Sequence, residues 1–110
     1  MTDNELYEVQ VSKQFLKHIN ELTKAAIKVY ISLAFMKQKR GQYFTASHSE
    51  ISTNDFNDND ESYYPEWFGI RTDSGQYYKA FMQLEALKLI KVYRRRTKNG
   101  GHLPNRYKVF

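Results

Sequence analysis

The chain has 110 residues, the size of one ordinary domain, and it contains no cysteine. The missing cysteines exclude disulfides, thiol nucleophiles and cysteine zinc sites, and they suit a reducing compartment. No apolar run reaches the roughly 18 to 20 residues that cross a bilayer, and the start is acidic where a secretory signal would be basic. We therefore expect a single cytoplasmic domain over residues 1–110 that does not engage a membrane.

The charge is distributed in blocks. The formal net charge is +5 at pH 7, but residues 54–70 hold five acidic and no basic side chains. Residues 88–110 hold eight basic and no acidic side chains. A cluster of cations of this kind indicates a polyanionic partner, and nucleic acid is the first expectation, although an anionic membrane surface would also attract it.

The N-terminal region predicts two short elements. Apolar alternation within residues 6–11 predicts a half-buried strand. Ser12 is suited to capping a brief helix, and we expect Phe15, Leu16 and Ile19 on the inner side of that helix.

A long central helix is predicted from Thr23 to about Lys39. Two neighbouring apolar stripes give it a broad apolar arc, which is typical of a mostly buried helix. Gly41 can supply the positive φ that ends it. A very short strand is predicted at residues 42–45, and a Ser-x-x-Glu capping box over residues 47–50 predicts that another helix begins there.

A further helix is predicted after residue 75, with Asp73 and Gln76 as its capping pair. Tyr77, Phe81 and Leu84 recur at helical spacing, so we expect them in the core. A rotation of about 100° per residue places a second set on the opposite face, which lacks acidic residues. This set comprises Gly75, Gln76, Lys79, Met82, Gln83 and Ala86.

The last segment predicts an antiparallel hairpin. Ile90 and Val92 in one strand, and Tyr107 and Val109 in the other, alternate so that they can face inward. Glycines at residues 100–101 tolerate the positive φ of a turn between the strands. The hairpin contains most of the basic cluster.

A helix pair followed at once by a basic hairpin predicts an α+β winged helix-turn-helix with three main helices and a C-terminal β-hairpin wing. In that fold the second helix of the pair enters the major groove, and the wing contacts the DNA backbone. We expect double-stranded DNA as the partner, bound sequence-specifically. The base-reading residues would be Gln76, Lys79 and Gln83. The backbone or positioning residues would be Thr72, Ser74, Gly75 and Tyr78. The wing residues, on phosphate or the minor groove, would be Arg94, Arg95, Arg96, Lys98 and Arg106.

The stretches LTKAAIKVYISLAF, FTASHSEIS, KAFMQLEALKLIKVYRRR and LPNRYKVF resemble the winged-helix pattern of plasmid and phage replication initiators. They are especially similar to the N-terminal domain of the plasmid replication-initiator A family. The resemblance implies DNA binding in replication initiation. It departs from the family pattern at Lys88, where glycine is usual, and in the long acidic insert. A winged-helix transcriptional repressor and a winged-helix protein-interaction module are the alternatives.

The acidic, aromatic insert at residues 54–70 falls between the two helices of the pair. Its aromatic residues either cover the core or contact a partner, which could be a second copy of the chain or another protein. A dimer would also match a two-fold operator. The aromatic residues concerned are Tyr63, Tyr64, Trp67 and Phe68.

Nothing in the sequence indicates an enzyme. His18, His48 and His102 lie in separate segments without metal-ligand spacing, and no phosphate-binding glycine loop or nucleophile triad is present. The insert has part of the spacing of a calcium loop but lacks the glycine that its sharp turn requires. We therefore predict no catalytic residue, no cofactor and no metal.

Overall fold

A computed structural model describes residues 8–53, 75–96, 98–100 and 102–110, without the side chains of residues 53, 96 and 102. Within these residues the chain forms four α-helices, one 3-10 turn and a three-stranded antiparallel sheet, so the predicted α+β class is confirmed. The elements in chain order are α1 (Lys13–Lys17), the 3-10 turn (Ile19–Glu21), α2 (Lys24–Arg40), β1 (Tyr43–Ala46), α3 (His48–Thr53), α4 (Gly75–Ala86), β2 (Ile90–Arg96) and β3 (His102–Val109).

Helix α2 is the centre of the core, as its broad apolar arc predicts. The Thr23 hydroxyl accepts a hydrogen bond from the Ala26 amide at 3.1 Å, which caps the start of the helix. Seven of its 17 residues are buried, among them Val29 and Leu33, which are fully buried. Gly41, with φ of 94°, ends the helix. Both predicted helix boundaries are therefore confirmed to within a residue.

The sheet has the strand order β1-β3-β2. β1 pairs with β3, and β2 pairs with the other edge of β3, so the two C-terminal strands form an antiparallel hairpin. Phe44, Ile90, Val92, Tyr107 and Val109 are buried on the side that meets the helices. The inward positions predicted for the hairpin are thus confirmed.

The connection from β1 to α3 is held by the predicted capping box. The Ser47 hydroxyl accepts from the Glu50 amide, and the Glu50 carboxylate accepts from the Ser47 amide, each at 3.1 Å. Arg40 at the end of α2 donates to the same carboxylate at 2.6 Å. Burial alone would raise the pKa of Glu50, but hydrogen bonds from Arg40 and Ser47 outweigh it and lower that pKa. The start of α3 is therefore fixed to the end of α2.

Helix α4 ends in a Schellman motif built on a lysine. The Leu89 amide donates to the Leu84 carbonyl at 2.9 Å, and the Lys88 amide donates to the Glu85 carbonyl at 3.0 Å. Lys88 has φ of 57° and is the only non-glycine residue with positive φ in the described part of the chain. Glycine is the residue that this position favours, because a Cβ is strained there. Lys88 is therefore a strained residue in a conformation that glycine would adopt freely.

The predicted strand within residues 6–11 is wrong over the residues that the structure describes, because residues 8–11 form no strand. Side chains of α2 bind this segment instead: Gln38 accepts from the Gln10 amide at 2.7 Å and donates to the Glu8 carbonyl at 3.3 Å. The segment therefore packs one side on the core without a partner strand.

Leu16, predicted to face inward, is 54% exposed, whereas Phe15 stacks on Tyr30 with ring centroids 4.0 Å apart.

No helix in the described ranges combines the length and the apolar character needed to cross a membrane. The acidic insert at residues 54–70 lies outside the described residues.

Candidate nucleic-acid interface

Helix α4 presents an exposed face opposite its core side. Tyr77 and Leu84 are fully buried, and Phe81 is 5% exposed, as their spacing predicts. The outer positions are all exposed, and Met82 leaves 66% of its surface in solvent. We call this set the α4 face: Gly75, Gln76, Lys79, Met82 and Ala86.

Gly75 begins α4 in an open position. An added Cβ there would meet no atom of the described residues within 4 Å, and the residue does not have a positive φ. Neither the backbone conformation nor internal packing therefore requires glycine at the start of this helix.

The Gln83 side chain makes two hydrogen bonds that helical periodicity does not predict. Its Nε2 donates to the Glu21 carbonyl at 2.8 Å, and its Oε1 accepts from the Thr23 amide at 3.1 Å. Both ends of the side-chain amide therefore connect α4 to the start of α2. Reading a base with Gln83 would require these two hydrogen bonds to break, so the structure favours a positioning role for this residue. Base reading by Gln83 stays a prediction.

A cleft of about 460 Å³ lies between α4, the start of α3 and the C-terminal hairpin. Tyr78 lines it from α4, His48 from α3, and Arg94 and Arg95 from β2. Tyr78 is 54% exposed, although it is a large aromatic residue. Three of the predicted site residues therefore line one cleft beside the α4 face. Sequence reasoning missed the remaining lining residues, Ala46, Ser47, His48, Leu103, Pro104 and Asn105.

An aromatic cluster fixes the side of the cleft formed by α3 and α4. His48 Nδ1 lies 2.7 Å from the Tyr77 hydroxyl. The His48 ring also meets Tyr78 and Phe81 edge-on, with centroids 5.9 and 6.0 Å apart. Burial lowers the pKa of His48. His48 thus joins the two helices and supports Tyr78, a role with no local sequence signal because Tyr77 is 29 residues away.

The predicted wing cations do not form one patch. Arg94 faces α4, where its Nη2 lies 3.3 Å from Glu85 Oε1. Arg106 lies on the other face of the sheet, with its guanidinium carbon 5.5 Å from the centre of the Tyr43 ring. Arg95 lines the α4 cleft and also a depression on that other face. Lys98 is exposed in the turn between β2 and β3. The side chain of Arg96 is not described.

Several residues predicted for the site lie outside the described part of the chain. They are the positioning residues Thr72 and Ser74 and the proposed partner contacts Tyr63, Tyr64, Trp67 and Phe68.

The arrangement can bind an anionic polymer. Its described cations are exposed, and one of them, Arg94, pairs with Glu85 of α4. Gln76 and Lys79 are long enough to reach groups beyond the helix surface, and the arginines lining the cleft can bind phosphate. Within the described residues, no cluster of three or more histidine or acidic side chains is arranged to hold a metal ion. Comparison of the chain with protein-family models, curated proteins and solved structures gave no match.

Proposed function

We propose that the chain is a winged helix-turn-helix protein that binds double-stranded DNA sequence-specifically. The observation that carries the proposal is that Tyr78 of α4 shares a cleft with Arg94 and Arg95 of the hairpin. The element order α2-β1-α3-α4-β2-β3, with β1 against β3, supports the same fold. In this fold a helix occupies the major groove while the adjacent hairpin contacts the backbone.

In the proposed complex, α4 lies in the major groove. Gln76 and Lys79 project from its first two turns and would contact base edges. Gln83 would hold the angle of the helix through its bonds to the start of α2. Arg95 and Lys98 would contact phosphates, and Gly75 would allow the DNA backbone close to the first amides of α4.

The biological role that we propose is origin binding in plasmid or phage replication. It rests on the sequence resemblance to replication initiators. A transcriptional repressor would contact DNA with the same surface, and the two roles differ in whether the selected site lies in an origin or overlaps a promoter.

Fluorescence anisotropy with a mixed-sequence duplex over a salt series tests the DNA-binding proposal. Arg95→Ala/Lys98→Ala should weaken binding and lower the slope of log affinity against log salt by about one unit per lost phosphate contact. Lys13→Ala/Lys17→Ala removes the same charge from exposed positions of α1 and should leave the slope unchanged. Equal slopes for both variants, or no binding by the wild type at low salt, would refute the proposal.

Selection of duplexes from a random pool tests specificity. Gln76→Ala should relax the preference at one or two positions of the selected site while leaving the salt slope intact, because the change removes a base contact without removing charge. A pool that yields no preferred sequence with the wild type would leave only non-specific binding and would contradict sequence reading by α4.

A further inference from the structure

The sheet has a solvent-facing side that the proposed duplex contact does not use. Register places Tyr43 beside Lys108, which pairs on its other side with Lys91. Two residues before Lys108 in β3, Arg106 pairs with Tyr93 of β2. Successive side chains of a strand point to opposite faces, so these residues lie away from the helices. We call this set the sheet face: Tyr43, Lys91, Tyr93, Arg106 and Lys108.

The two tyrosines form an exposed aromatic floor. Tyr43 is 45% and Tyr93 is 36% exposed, and their rings lie 6.4 Å apart at an angle of 49°. Together with Arg95 and Arg106 they line a depression of about 520 Å³. Exposed aromatic side chains that form a continuous surface indicate a binding site more often than isolated ones do. The depression therefore combines an apolar floor with a cationic rim.

The charged side chains that the three strands contribute to this face are all positive. The sequences of β1, β2 and β3 contain no acidic residue. Arg106 and Lys108 lie 5.5 and 5.2 Å from the centre of the Tyr43 ring, and Lys91 lies 5.2 Å from that of Tyr93. An exposed cation–π contact is weaker than the stacking of a base on an aromatic ring. A base can therefore displace a cation from the ring and leave that cation to bind the adjoining phosphate.

We propose that the sheet face binds single-stranded nucleic acid, with bases stacked on Tyr43 and Tyr93 and phosphates held by Lys91, Arg106 and Lys108. Aromatic side chains beside a positively charged groove are the features by which proteins hold unpaired strands. A duplex offers this face only its phosphates, because its bases are stacked inside the helix. The α4 face and the sheet face lie on different sides of the molecule, so the inference does not depend on the proposed duplex binding.

Anisotropy with labelled ten-nucleotide oligothymidine and oligouridine tests the proposal and distinguishes DNA from RNA. Tyr43→Leu/Tyr93→Leu should weaken binding of the preferred oligonucleotide by about tenfold or more, because both stacking surfaces are lost. Tyr43→Phe/Tyr93→Phe keeps the aromatic rings and should retain most of the affinity. Both pairs of changes are at exposed positions, and circular dichroism melts should confirm that each variant is folded.

The matched control is Gln76→Ala/Lys79→Ala on the α4 face. It should weaken duplex binding and leave oligonucleotide binding unchanged, whereas the leucine variant should do the reverse. If duplex binding is absent but oligonucleotide binding follows the tyrosines, the duplex proposal fails and this one stands.

Three results would overturn the inference. The first is that neither oligonucleotide binds at low salt. The second is that the leucine variant binds as tightly as the wild type. The third is that inorganic polyphosphate of equal length competes as well as the unlabelled oligonucleotide, since that would mean the bases contribute nothing. A positive result should also place 5-iodouracil crosslinks on the peptides containing Tyr43 or Tyr93.

Discussion

Replacing Gln83 with alanine separates a positioning role from a base-reading role. The change removes two hydrogen bonds, one to the Glu21 carbonyl at 2.8 Å and one from the Thr23 amide at 3.1 Å. A net contribution of about 0.5 to 1.5 kcal/mol for each bond gives about 1 to 3 kcal/mol. The bonds are exposed, so water can bind the released backbone groups. We therefore expect a loss of about 1 to 2 kcal/mol in the free energy of unfolding.

At this chain length such a loss should lower the melting temperature by about 4 to 8 °C. Thermal melts followed by circular dichroism measure it, and anisotropy with duplex DNA is recorded on the same samples at 25 °C. Met82→Ala, one position earlier on the exposed α4 face, is the control and should change the melting temperature little. A Gln83→Ala protein that melts like the wild type but no longer binds its duplex would refute the positioning role.

Three further predictions concern the helix ends and the buried tyrosines. Lys88→Gly should raise the free energy of unfolding by about 0.5 to 1 kcal/mol, because it relieves a positive φ of 57°. Urea denaturation measures this, and Lys91→Gly within β2 should instead be destabilising. Gly75→Ala should keep or slightly raise the free energy of unfolding, since a Cβ there meets no described atom within 4 Å. The same change should weaken duplex binding by roughly fivefold or more, which is about 1 kcal/mol. Unchanged affinity would argue against close approach of DNA at that turn. Burial raises the pKa of Tyr107 to about 12 and also raises that of Tyr77. Their unfolded pKa is about 10, so the stability they contribute is complete below about pH 10 and should fall above it by at most about 1.4 kcal/mol per pH unit for each tyrosine. A urea midpoint that stays constant from pH 9 to 11 would contradict this.

The sequence predicts best those elements whose signals are local. The Ser12 cap, the Ser47–Glu50 box and the inward alternation of the hairpin depend on residues a few positions apart, and the structure has all of them. The strand predicted within residues 6–11 is wrong over residues 8–11. Alternating apolar residues indicate that one side of a segment is buried, but they do not indicate that the segment pairs with another strand. The hydrogen-bond partner of that segment is one side chain of α2, that of Gln38, which lies 28 residues from Gln10 and 30 residues from Glu8.

In the candidate site, too, local features are predicted from the sequence and contacts between distant residues are not. Periodicity locates the exposed face of α4, since the alternative face is apolar. It cannot detect the bonds of Gln83, whose partners lie 60 and 62 residues away. Clustered arginines in the sequence indicate a charged hairpin, but the sheet register decides that Arg94 and Arg106 lie on different faces. The outward position of Tyr93 follows from the same alternation that turns Ile90 and Val92 inward.

A titration of isotope-labelled protein with duplex DNA, followed by amide chemical shifts, tests directly whether α4 and the hairpin form the DNA-binding surface. If α4 and the hairpin bind the duplex, the largest changes should fall on residues 47–48, 76–79 and 94–95, which border the cleft and the α4 face. Changes confined to α1 and the sheet face, or none at saturating duplex and low salt, would contradict the proposal that α4 and the hairpin form the DNA-binding surface.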